Sequence, residues 1–146
     1  MSADRAADQF VDTNILVYAY DLSAGHKRVL AAQWMERWWE ERTGCLSIQV
    51  LQEFFVTVTR KIVAPLDFSV ARQIITDLAH WRLHVPEARD VLEAIDLQQS
   101  YRLSFWDAMV LQSARRLGCK QLFSEDLEHG RLYDGIRVIN PFARDR

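Results

Sequence analysis

Short apolar runs alternate along the chain with longer stretches in which apolar residues recur at helical spacing. Gln9-Phe10-Val11 reads as a short strand that runs into Asp12-Thr13-Asn14, three residues of the helix-capping type, and Ile15 to Ala19 follows as a helix. Tyr20 to Gly25 reads as a turn. His26 to Glu41 is a long amphipathic helix with Val29, Leu30, Trp34 and Trp38 near helical spacing. Gly44 to Ser47 is a second strand, and Ile48 to Lys61 is helical until Pro65 closes the segment. Ser69 is expected to cap a helix ending at Trp81. Leu83-His84-Val85 forms a strand before Pro86, and Glu87 to Ser100 a further helix. Ser104-Phe105-Trp106-Asp107 opens a helix that runs to Leu117 and stops at Gly118. Gln121-Leu122-Phe123 and Arg137-Val138-Ile139 are the last strands, the final one ended by Asn140-Pro141. Strand–helix alternation of this kind predicts an α/β fold with a mostly parallel sheet covered by helices.

Composition narrows the class. At 146 residues, 49% hydrophobic and 26% charged, the chain is an ordinary globular one. It reads as a single domain over residues 1–146, with 1–8 and 143–146 as tails. The 18 Lys and Arg nearly balance the 20 Asp and Glu, for a formal net charge of −2. A bulk positive field is therefore excluded as the means of holding nucleic acid, and a local basic surface or bound cations would have to do it. Met1 to Gln9 lacks a signal-peptide pattern, and no window approaches the roughly 18 apolar residues of a membrane span, so a cytoplasmic protein is expected. Cys45 and Cys119 have no metal-type spacing and read as two buried, reduced thiols.

In open α/β sheets ligands bind beyond the carboxyl ends of the strands. Asp12 and Asp126 fall there, Asp107 falls in the first turn of a helix, and Glu53 in the first half of another. Four convergent carboxylates would repel one another and resist ionisation unless a cation held them. Carboxylate and water ligands suit Mg²⁺ or Mn²⁺, and two such ions about 4 Å apart can promote phosphodiester hydrolysis. Each aspartate also has a local reading. Ser104-x-x-Asp107 matches a variant capping box, Asp12 can cap the helix near Ile15, and Asp126 can cap the turn through Leu127. Glu53 sits in Val50-Leu51-Gln52-Glu53-Phe54-Phe55-Val56, where a solvent face is hard to draw, so a neutralising partner is expected for it.

With these positions in view, the sequence resembles the PIN-domain ribonucleases, and within them the VapC-like toxins of bacterial toxin–antitoxin pairs. Phe10-Val11-Asp12-Thr13-Asn14-Ile15-Leu16-Val17-Tyr18-Ala19 looks like the family's opening strand and first acidic position. Gln52-Glu53-Phe54 looks like the second, Phe105-Trp106-Asp107-Ala108 the third, and Leu122-Phe123-Ser124-Glu125-Asp126-Leu127 the fourth. The tail Gly135-Ile136-Arg137-Val138-Ile139-Asn140-Pro141-Phe142 is similar to the ending of one VapC subgroup. The resemblance implies a three-layer α/β/α sandwich with the first strand central. It implies an endoribonuclease dependent on Mg²⁺ or Mn²⁺, whose metal ligands are Asp12, Glu53, Asp107 and Asp126, with Asn14, Thr13 and Ser124 orienting those carboxylates. Glu125 competes with Asp126 for the fourth position, and the spacing to Ser124 selects Asp126. An RNA substrate, a small antitoxin and a homodimer are the implied partners.

The alternative is a catalytically weak PIN-like module that binds RNA or protein. A phosphatase with an aspartyl nucleophile ranks lower, because position 14 is Asn and position 16 is Leu where that chemistry usually places a second Asp. Asp21 reads as a turn residue beside Ser23 and Gly25. His26, His80, His84 and His129 lack ligand spacing. Among the tryptophans, Trp34 and Trp38 share a helical face suited to packing, whereas Trp39 points elsewhere, at an exposed helix end.

Overall fold

The computed structural model describes residues 7–143, so the tail readings for 1–6 and 144–146 lie outside the described residues. In chain order the elements are β1 (Gln9–Val11), α1 (Thr13–Tyr20), α2 (His26–Glu41), β2 (Gly44–Ser47), α3 (Ile48–Val56), α4 (Phe68–Leu78), β3 (Arg82–His84), α5 (Ala88–Tyr101), α6 (Phe105–Arg116), β4 (Gln121–Phe123), β5 (Leu132–Tyr133) and β6 (Ile136–Ile139). The strands form one sheet in the order β3-β2-β1-β4-β6-β5, parallel except for the β5–β6 edge hairpin. This is the expected three-layer α/β/α sandwich, with β1 in its middle. Phe10, Val11, Cys45, Leu46, Leu122 and Phe123 are fully buried, as strands covered on both faces require.

The chain order places β1's two neighbours, β2 and β4, on opposite sides of it. Connections leaving β1 and β4 therefore diverge beyond their carboxyl ends, the place where open α/β sheets bind their ligands. The register aligns Val11 with Phe123, and the Asp12 N–H donates to the Phe123 carbonyl at 2.9 Å. Residues 12 and 124–126 thus leave the sheet side by side.

Several local expectations are corrected. Ser69 does not cap its helix: Asp67 holds the cap position, Phe68 opens α4, and Leu78 rather than Trp81 closes it. The stretch from Ile48 to Lys61 is not one regular helix. α3 ends at Val56 and passes into a wider π-type turn over Thr57–Lys61, where the Ile62 N–H reaches the Thr57 carbonyl at 3.3 Å. Leu132–Tyr133 was not expected as a strand; two residues carry too little pattern to read, and pairing with β6 alone defines it. Asp21, by contrast, does make the turn: its Oδ1 accepts from the Ser23 N–H at 3.0 Å and from the Ser23 hydroxyl at 2.6 Å. Trp34 and Trp38 stack at 5.6 Å, Trp38 is buried, and both cysteines are buried thiols.

A buried polar network ties α5 and α6 to β3. Asp90, fully buried, accepts from the Glu87 N–H at 2.8 Å, from Gln112 Nε2 at 3.0 Å and from Arg116 Nη1 at 3.0 Å. His84 lies between Asp90 (3.2 Å) and the Ser113 hydroxyl (2.7 Å). Burial alone would raise the Asp90 carboxyl, but the Glu87 N–H, the Gln112 amide, His84 and Arg116 outweigh it and hold it at about 2. The network ties the second half of α6 to α5 and to the end of β3.

Candidate active site

Asp12 sits at the end of β1 as the N-cap of α1. Its Oδ1 accepts the Thr13 N–H at 2.7 Å, and its Oδ2 accepts the Ser124 hydroxyl at 2.8 Å. One oxygen is thereby held by backbone and the other by the Ser124 side chain, at the β1–β4 junction. The Ser124 hydroxyl also accepts the Asp126 N–H at 3.2 Å, so one buried serine orients two acids. Asn14 Nδ2 donates to both Asp126 oxygens, at 3.1 and 3.0 Å, from the first turn of α1. Asp107 stands in the first turn of α6, where the Ser104 hydroxyl accepts its N–H at 3.1 Å.

One carboxylate oxygen from each of Asp12, Asp107 and Asp126 lies within 4.8 Å of the others. Capping and clustering are not alternatives here. Asp12 caps α1 through one oxygen and presents the other edge of its carboxylate to the cluster, while the Ser104 half of the capping box leaves the Asp107 carboxylate to the site. The electrostatic consequence is plain at Asp12. Its carboxyl is pushed from 3.8 up to about 7, chiefly by burial, with Asp126 and Asp107 adding to it against the lowering effect of Ser124 and Thr13. Asp126 is raised as well, by burial first and then by the charges of Asp107, Glu125 and Glu53, against Asn14.

Glu53 differs from expectation. It is exposed on α3, not buried in the apolar run, and it is not one of the three converging acids. The run accommodates it because α3 alternates its sides quickly: Val50, Leu51 and Phe54 are buried while Gln52, Glu53 and Val56 face solvent. Its Oε1 accepts from Gln49 Nε2 at 2.7 Å, and the same amide reaches the Trp106 carbonyl at 3.3 Å. Glu53 is therefore moored beside the opening turn of α6, near enough for its charge to raise Asp126. Gln49 was missed in the sequence, although its position four residues before Glu53 on a helix was a usable signal.

Glu125 turns away from the cluster. It accepts from the Tyr18 hydroxyl at 2.5 Å and forms an ion pair with Lys27, whose ammonium lies 5.0 Å from the Tyr18 ring. Asp126 is thus the member of the pair that faces Asp12 and Asp107. Thr13 acts on Asp12 through its backbone N–H only; its buried hydroxyl has no hydrogen-bond partner among the described residues.

The donor set suits a hard divalent cation. It is all carboxylate, Asp12 is buried and resists ionisation, and among the described residues no Lys or Arg pairs with any of the three acids. A divalent ion supplies the missing positive charge with the oxygen ligands it prefers.

The PIN domain family model matches residues 10–135 of the chain. No curated protein sequence matches it significantly. Among solved structures, a toxin–antitoxin complex from Klebsiella pneumoniae superimposes with a TM-score of 0.70 at 20% identity, covering 92% of this chain and 98% of that one. The sarcin–ricin loop cleaving toxin VapC20 of Mycobacterium tuberculosis gives 0.61 at 18% identity, covering 80% of this chain and 88% of that one. DNA-bound VapBC from Salmonella typhimurium gives 0.62 at 16% identity, covering 91% and 97%. The sheet order, the acids at its carboxyl edge and the family match over most of the length agree: the chain belongs to the PIN-domain family.

Proposed function

We propose that this protein is a divalent-metal-dependent endoribonuclease and the toxin of a toxin–antitoxin pair. The observation that carries the reading is the convergence of Asp12, Asp107 and Asp126, with no Lys or Arg paired to them among the described residues, beyond the carboxyl ends of β1 and β4. Mg²⁺ or Mn²⁺ would be held by these three, with Glu53 joining from its mooring on Gln49. Bound there, the metal would supply a Lewis acid for the phosphodiester and an acidified water for its hydrolysis.

The chain's own groups prepare the site before RNA arrives. Ser124 and the Thr13 N–H keep the Asp12 carboxylate in one orientation, and Asn14 does so for Asp126 through a two-oxygen contact. Gln49 bridges Glu53 on α3 to the Trp106 carbonyl on α6, one residue before Asp107. Trp106, 63% exposed and next to Asp107, offers a ring on which a base beside the cut phosphate can stack.

Two partners belong to the same reading. The similarity to a solved toxin–antitoxin complex supports an antitoxin partner, and by this reading a small one would occupy the site. The exposed apolar residues Val91, Leu92 and Ile95 on one side of α5 support pairing with a second copy. Glu53's place outside the triad favours the second reading, a module that binds RNA or protein with little catalysis.

The test is cleavage of total cellular RNA by purified, antitoxin-free protein in Mg²⁺ or Mn²⁺ against EDTA, beside Asp12→Asn. Cutting that needs metal and Asp12 establishes the nuclease. RNA left intact by folded protein with either metal favours the binding module, and cutting that persists in EDTA and in Asp12→Asn refutes the mechanism.

A further inference from the structure

At the opposite ends of the strands from the acids lies a cavity of about 460 Å³, within the range of small-molecule sites. Its walls come from the end of α2 (Trp38, Trp39, Arg42), the start of β2 (Gly44), the loop after α4 (His80, Trp81) and the start of β3 (Arg82). Trp38 is buried and makes the floor, with Trp81 edge-on to it at 6.2 Å. Trp39 is 41% exposed and stands edge-on to Trp81 at 5.3 Å, leaving indole surface open to the cavity mouth. Gly44 is required for this arrangement, because a Cβ there would collide with the Trp81 ring.

The polar groups are two guanidiniums and one imidazole. Arg42 has no ion-pair or hydrogen-bond partner among the described residues, and its φ of 57° holds it at the left-handed end of α2. Arg82 is shared with Asp8. The Nδ1 of His80 lies 3.1 Å from the Thr76 carbonyl and 3.3 Å from that of Asp77, which can only accept, so Nδ1 carries a hydrogen and Nε2 of the neutral ring is left as an acceptor. The site thus combines indole faces for a planar ring, a free guanidinium matched to phosphate, and an acceptor for a base N–H or ribose hydroxyl. We infer that this cavity binds a nucleoside 5′-monophosphate, its base against Trp39 and Trp81 and its phosphate on Arg42. The inference goes beyond the nuclease reading and does not depend on the acids.

A free nucleotide and the 5′-phosphorylated end of an RNA strand share this chemistry. The experiment is calorimetric titration of the full chain in EDTA with AMP, adenosine, ribose 5-phosphate and a 5′-phosphorylated hexanucleotide, with tryptophan fluorescence read in parallel. AMP is expected to bind with quenching, and adenosine and ribose 5-phosphate at least about tenfold more weakly, since each lacks one half of the recognition. Tighter binding of the hexanucleotide than of AMP assigns the site to RNA ends; equal or weaker binding assigns it to free nucleotides. Trp39→Ala, at an exposed position, and Arg42→Gly, which suits the left-handed backbone, are each expected to abolish AMP binding without loss of fold. Asp12→Asn, in the acid cluster, is expected to leave it unchanged. The inference is overturned if AMP produces no saturable heat at millimolar concentration. It is equally overturned if AMP binding survives both cavity substitutions or is lost in Asp12→Asn.

Discussion

Replacing Asp12 by Asn is expected to make the metal-free protein more stable while abolishing RNA cleavage. The folded Asp12 carboxyl sits at about 7 against an ordinary 3.8. A group raised in this way contributes fully to stability below its unfolded value, and the contribution is lost as pH climbs from 3.8 through about 7. At about 1.4 kcal/mol per pH unit, the loss by pH 8 amounts to about 4 kcal/mol. Asn carries no charge and escapes this loss. Its Oδ1 still accepts the Thr13 N–H, but its amide faces the Ser124 hydroxyl, which must turn to accept and leaves its own hydrogen unpaired. That costs about 1 kcal/mol, so the net gain is about 3 kcal/mol at pH 8. In a domain of this size it corresponds to a rise in Tm of about 10 °C. Urea denaturation in EDTA at pH 4, 6 and 8 reads the effect directly. The advantage of Asp12→Asn should be absent at pH 4 and largest at pH 8. Adding Mg²⁺ should narrow it, because an ion bound to the native state stabilises the wild type by mass action and the variant much less. A variant less stable than wild type at pH 8 in EDTA would show that the acid cluster carries no excess charge, and the argument for a cation would fail with it.

Other outcomes test other parts of the molecule. Glu53→Gln should lower cleavage by orders of magnitude yet change stability by no more than about 0.5 kcal/mol, since residue 53 is exposed and Gln keeps an oxygen for Gln49; wild-type turnover would remove Glu53 from the site. Asp90→Asn should cost about 3 kcal/mol in denaturation at pH 7, because it removes the charge that Arg116 and His84 face inside the fold. The wild-type contribution of Asp90, whose folded value is depressed, is present above pH 3.8 and lost as pH falls toward about 2; a variant with the same acid profile as wild type would refute that role. Trp106→Ala should raise the KM for RNA with little effect on kcat or Tm, measured with a short cleaved oligonucleotide, whereas an unchanged KM would take the ring out of substrate binding.

Much of the site was readable locally because its groups are bound to nearby backbone. Asp12, Asn14, Ser104, Asp107 and Ser124 all lie within three residues of a strand end or helix start, where capping preferences and the strand–helix switch mark them. Glu53 was misread because an apolar heptapeptide does not reveal how narrow the buried stripe of α3 is; α1, α4 and the sheet decide which residues around that helix are covered. Glu125 and Asp126, adjacent in sequence, were inseparable except by spacing. Their divergence depends on Tyr18 and Lys27, about a hundred residues away, which capture Glu125.

By itself the sequence determined the alternation of strands and helices, the α/β class and which acids are candidates, because each depends on periodicity and on groups a few residues apart. Only the tertiary structure decided that Asp12, Asp107 and Asp126 share one point in space, since that convergence follows from β1 and β4 lying side by side across 112 residues of chain. The charge state of the site was decided there too. A carboxylate's pKa is a property of its burial and its neighbours, and neither exists until the sheet has closed around Asp12.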